Sequence, residues 1–138
     1  MLESNYHQAL KDHLEHLPCQ VELPDEWKDY FELRGMIVPI RFDQRRFVRS
    51  HYPTKALLEF REALPFVDRS RRFHHIYSRD LSRNGICILA PEQLYPGEEP
   101  LVWLMTGIVR CEVVRCRRIN ATCYEIGARF LESHSKTA

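Results

Sequence analysis

Two short stretches of this chain hold residue types that could do binding chemistry. Asp80-Leu81-Ser82-Arg83-Asn84-Gly85 sets a carboxylate, a hydroxyl and a glycine at Asp-x-Ser-x-x-Gly spacing. Such a turn offers polar groups and bare backbone to a ligand edge; its plainer reading is a tight turn whose Asp and Ser bond their own backbone. Upstream stands an arginine cluster, Arg45-Arg46-Phe47-Val48-Arg49. A guanidinium is planar and always charged, and its fork of donors fits a phosphate or a base edge in bidentate fashion. Arg-x-x-x-Arg spacing alone is weak evidence, because it also occurs at Arg41/Arg45 and Arg79/Arg83. Arg45/Arg49 is set apart by its context: Arg46 and Phe47 lie between, and Tyr52-Pro53 opens a β-like run just after.

The elements that must position these residues follow from periodicity. Residues 4–17 carry Ala9, Leu10, Leu14 and Leu17 near helical spacing, with Ser4 as a cap and Pro18 as a stop. Pro24-Asp25-Glu26-Trp27 resembles a second helix start, with Trp27, Tyr30 and Phe31 as its apolar stripe and Gly35 as its end. From residue 36 the texture becomes β-rich. Met36–Ile40 contains Pro39 and reads as an edge strand or linker. Strands are expected over 54–61, where Ala56, Leu58 and Phe60 share a face, over 72–79, over 86–90, on either side of Gly107 (101–106 and 108–118), and over 123–131. The loop 91–100 carries Pro96-Gly97, and Asn120-Ala121-Thr122 makes the last turn. Many short strands joined by turns predict a mainly β domain, a small antiparallel barrel or sandwich. The expected division is a helical N-terminal arm, 1–35, and a β domain, 36–138.

Composition narrows the function. The chain has 138 residues, 44% apolar and 28% charged, which suits one domain with its own core. No apolar run is long enough to span a membrane, and the first residues lack the basic and apolar regions of a secretory leader. A cytoplasmic protein without membrane contact is therefore expected. Residues 1–33 carry a charge of −6 and residues 34–138 a charge of +7, and 16 of the 20 cations are arginine. The five cysteines are odd in number and mostly strand-embedded, so Cys87, Cys111, Cys116 and Cys123 read as small buried or half-buried apolar residues rather than disulfide partners. A zinc site from Cys111, Cys116, Cys123, His74 and His75 lacks close Cys-x-x-Cys spacing. Arg69 to Tyr77, with Phe73 among cations, resembles a nucleic-acid surface, against the simpler reading of a basic edge strand. No nucleophile paired with a base and no phosphate-cradling glycine loop is present, so no enzyme is expected.

The two stretches, in this order and followed by Gly127-Ala128-Arg129-Phe130-Leu131, resemble the PilZ family over roughly residues 41–131. The resemblance implies a six-stranded antiparallel β-barrel that binds the bacterial second messenger cyclic di-GMP without catalysis, cofactor or metal. It implies that Arg45, Arg46 and Arg49, on a flexible segment before the first strand, clamp guanine and phosphate. Asp80, Ser82 and Gly85 would face the ligand from the barrel, Asp80 accepting from guanine N–H donors and Gly85 allowing close backbone approach. An unknown downstream protein partner is implied, and no nucleic acid. The chain departs from the family pattern at Gln44, where another arginine is common and which bears on whether one ligand or a stacked pair binds, and in the insert Leu64–Arg72. The alternatives are a PilZ-like adaptor acting through protein contacts with weak or no nucleotide binding, and a small RNA-binding barrel.

Overall fold

Period-two alternation becomes six strands: β1 (Arg49–Glu59), β2 (Phe73–Ser82), β3 (Gly85–Ala90), β4 (Leu101–Leu104), β5 (Gly107–Asn120) and β6 (Cys123–Phe130). They follow one helix, α1 (Leu2–His16), and a single 3-10 turn, Tyr30–Glu32. The structure, a computed structural model, describes residues 2–35, 37, 49–61, 64, 67, 69 and 71–131. All strand pairs are antiparallel, and the sheet closes on itself in the order β1-β2-β3-β6-β5-β4. Among the described residues every strand pairs with two neighbours, which is how small all-β folds limit edge-to-edge association.

The expected inner face is the observed one. Ala56, Leu58 and Phe60 pack in one core with Ile76, Ile88 and Ile126. Each of the leucine, isoleucine and phenylalanine side chains contributes roughly 1.5–3 kcal/mol on burial. β3 is buried at every position, because its inner residues meet this core while Leu89 faces outward beneath the N-terminal segment. Pro53 lies where the β1–β2 register slips between His51 and Thr54, a place where a strand tolerates a missing N–H.

α1 matches its prediction but starts earlier, so Ser4 lies inside the helix rather than at its cap. Tyr6 stacks on Trp103 and His13 on Phe73, which docks the helix over the β1–β4 side of the ring. The second helix does not form. Residues 24–32 make only tight turns, Trp27 N donating to Pro24 O and Tyr30 N to Trp27 O, and the 3-10 turn ends before Gly35, whose φ is 85°. The reason is tertiary: Trp27, Tyr30 and Phe31 pack on β2, where Trp27 lies under Arg79, Tyr30 Oη donates to Ser78 O and Phe31 meets Tyr77 edge-on. A longer helix would lift them off. Val21 and Tyr30 then bury Leu89 and Cys123 from outside.

In the Arg69–Tyr77 stretch, Arg69, Arg72, His74 and His75 are engaged within the fold. Arg69 is nearly buried, bound to Glu92 and to the fully buried Glu98, with its guanidinium over Phe60. Arg72 donates to buried Glu59, and His74 and His75 are buried. Cys111 faces the core while Cys123 faces the N-terminal segment, so these thiols lie on opposite sides of the sheet wall.

Candidate ligand-binding site

The first residue of β1 lies beside the last residues of β2. Arg49 pairs with Ser82 and His51 with Asp80 in the ladder. Diagonal neighbours on one face of an antiparallel pair are within reach of long side chains. Arg49 Nη1 accordingly donates to Asp80 Oδ1 at 2.6 Å, and both side chains are mostly covered, 15% and 14% exposed. Arg49, the last residue of the arginine cluster, thus meets the Asp-x-Ser-x-x-Gly stretch in space. Arg49 belongs to the strand itself, not to a segment preceding it; it is held there by ladder bonds that a free segment would lack.

The second stretch is also more regular than a turn. Asp80, Leu81 and Ser82 are strand residues, and only Arg83 and Asn84 bend. Ser82 Oγ lies 3.0 Å from Asn84 Oδ1, donating its hydroxyl to that acceptor, while Phe130 N donates to Asn84 O and ties the bend to β6. Gly85 has a packing reason of its own: a Cβ there would stand 2.6 Å from Ala128 O on the paired strand. Bare backbone is required by β6 whether or not a ligand approaches.

Arg45 and Arg46 lie outside the described residues, as do Arg41 and Gln44. The ends of the stretch that contains them are nevertheless pinned together. Ile37 N donates to Arg49 O and His51 N to Gly35 O, each at 2.8 Å. Gly35 and Ile37 thus lie beside the start of β1.

Strand alternation would turn Asp80 inward, since Ile76 is a core residue and Ser78 is fully buried. A register slip between Ser78 and Asp80 turns it outward, opposite Cys87. The row continues from Cys87 to Gly127 and from Gly127 to Arg115. Charged groups gather around Cys87. Burial first, and then the Asp80 carboxylate, push its thiol up to about 12, opposed by Arg79, Arg115 and Arg49. A thiol so shifted holds its proton at neutral pH and is no nucleophile. Next to the row, Arg79 is gripped by Glu125 and lies 4.3 Å from the Trp27 ring centroid.

Chemically, this outer face offers a carboxylate that can accept N–H donors and a guanidinium for phosphate or a base edge, over a floor of small residues. Sequence reasoning missed Arg115, which stood in an arginine-rich run with no motif. It noted Gly127 only as part of a closing strand. Among the described residues no cluster of His, Cys, Asp or Glu could hold a metal ion. A groove on α1 lined by Ala9, Asp12, His13 and His16 lies away from the row. Among the described residues no helix is long and apolar enough to cross a membrane.

No curated protein matches the chain. The family model of the PilZ domain matches residues 43–138, a span that starts just before the arginine cluster and takes in the whole ring of strands. With that match and the closed antiparallel ring, the chain belongs to the PilZ domain family, the family of cyclic di-GMP receptor domains.

Proposed function

We infer that this chain is a non-enzymatic cyclic di-GMP receptor module that passes the level of the messenger to a protein partner. The observation that carries the reading is the Arg49–Asp80 ion pair, which joins residues 31 positions apart on the outer face of the ring. In this reading Arg45, Arg46 and Arg49 take guanine and phosphate, since guanine O6 and N7 suit an arginine fork. Asp80 accepts from guanine N–H donors, Ser82 holds the bend, and Gly85 keeps β3 close to β6. Residues 1–35 act as an arm on a binding domain formed by 36–138. Calorimetric titration of the full chain with cyclic di-GMP tests this. Binding should be micromolar or tighter, and Arg45→Ala with Arg49→Ala should weaken it by about a hundredfold or more, from about 1.5–3 kcal/mol per charge-assisted bond. A folded double variant that titrates like wild type overturns the assignment.

One observation favours the adaptor alternative. Arg49 already occupies the Asp80 carboxylate, so a nucleotide must share or displace that pair. Absence of heat with cyclic di-GMP, together with retained capture of a partner protein, would support it.

A further inference from the structure

Arg115 departs from the pattern of its strand. Cys111 and Val113 face the core, so alternation would send Arg115 inward as well. The β5–β6 register slips between Val113 and Arg115 instead. Val114, 53% exposed, and Arg115 both point outward, and Cys116 takes up the inward packing. Bulges of this kind re-aim a side chain at the cost of a ladder bond. The slip in β2 does the same for Asp80. Two separate irregularities therefore place a charged residue at each end of one cross-strand row, Asp80–Cys87–Gly127–Arg115.

Arg115 folds back along this row. From the position a Cβ on Gly127 would occupy, its Nη1 is 2.7 Å away, its Cζ 2.9 Å and its Cγ 3.1 Å. Stem and guanidinium thus lie flat on the sheet over the glycine. The end strands are about 14 Å apart, taking roughly 4.8 Å per strand step. With the arginine folded over Gly127, its guanidinium is about two strand steps, roughly 9.6 Å, from the strand of Asp80. The neighbouring cations are neutralised: Arg79 and Arg117 by Glu125, Arg129 by Glu112, Arg49 by Asp80. Arg115 is exposed and, among the described residues, makes no ion pair.

We propose that Arg115 is a specificity-determining residue of the nucleotide site, its flat guanidinium stacking on the face of a purine whose other contacts are Arg49 and Asp80. This rests on the reading of the site given above. A guanidinium plane stacks on π faces in a way an ammonium does not. Gly127 is the complementary choice, because any side chain there would push the arginine off the row.

Titration of the full chain with cyclic di-GMP tests the proposal. Arg115→Ala is expected to weaken binding by about ten- to a hundredfold with an unchanged thermal midpoint. Arg115→Lys should recover only a minor part, and Gly127→Ala should weaken binding but add little to Arg115→Ala in the double variant. Arg117→Ala, an exposed cation two residues away, should bind within about threefold of wild type. The proposal is overturned if Arg115→Ala binds like wild type while the Arg45/Arg49 double variant does not, if lysine restores full binding, or if Arg117→Ala loses as much. If wild type itself does not bind, the site reading falls and takes this one with it.

Discussion

Leu89 and Cys87 are two residues apart on β3, face the same outer side and are both buried, yet they belong to different surfaces. Leu89 lies under Val21 and Tyr30 of the N-terminal segment. Cys87 lies among the charges of Asp80, Arg79, Arg115 and Arg49. The border between the two is Arg79, which presents its cation to Trp27 on the covered side and sits next to Asp80 on the open side. One sheet wall is therefore finished in two ways. Its covered part is sealed by aromatic packing, and its open part is left polar and floored by small residues. The covered part should matter for stability and the open part for binding.

The largest effect should come from the covered part. Leu89→Ala should lower unfolding stability by about 2–5 kcal/mol, the usual loss for a buried leucine. Cyclic di-GMP affinity of the folded variant should stay within about threefold. A variant that lost affinity without losing stability, as read by denaturant melts and calorimetry, would break the distinction. On the open part, Asp80→Ala should weaken binding by about ten- to a hundredfold. Its stability should also fall, by about 1–3 kcal/mol, because the mostly covered Arg49 would be left without its partner. Tyr30→Phe sharpens the border: losing the hydrogen bond to Ser78 O should cost about 1 kcal/mol of stability and leave binding unchanged.

The next effect is that of single protons. Burial holds His74 below its ordinary value of 6.5, with Glu92 opposing and Arg71 and Arg69 adding to the shift. Its Nε2 is 3.1 Å from Glu92 Oε2 but not aligned for a hydrogen bond. The unfolded chain thus takes up this proton more readily than the folded one. The stabilisation is complete above about pH 6.5 and is lost progressively as pH falls through that range. At lower pH Glu59 follows. Burial alone would raise its carboxyl, but hydrogen bonds from Trp103, Arg61 and Arg72 outweigh it and hold it below 4.5, so its contribution fades as pH drops under that value. Denaturant midpoints measured between pH 7.5 and 4 should fall, and His74→Gln should flatten the upper part of the curve. The smallest effect is expected for the exposed pair Arg129–Glu112: Glu112→Gln should change stability by less than about 0.5 kcal/mol.

Local chemistry was legible in the sequence wherever it was enough to decide structure. The helix over Leu10, the shared face of Ala56, Leu58 and Phe60, the turns at Gly107 and Asn120–Thr122, and the buried cysteines all follow from periods and turn residues within a few positions. The Asp80 stretch and the arginine cluster were legible as motifs. The residues 24–35 were misjudged as a helix, because capping signals there were outweighed by aromatic packing on β2. Arg69 looked like a surface cation, because nothing near it announces Glu98.

The sequence by itself determined a mainly β domain with a helical N-terminus, and two separate motifs, the arginine cluster and the Asp-x-Ser-x-x-Gly stretch. Those properties depend on neighbours along the chain. Tertiary structure alone decided that Asp80 and Arg115 face outward, since that depends on where ladders slip between strands. It alone decided that Gly85 is needed for Ala128 O and Gly127 for Arg115. Register between distant strands is a property of the closed ring, and no local period encodes it.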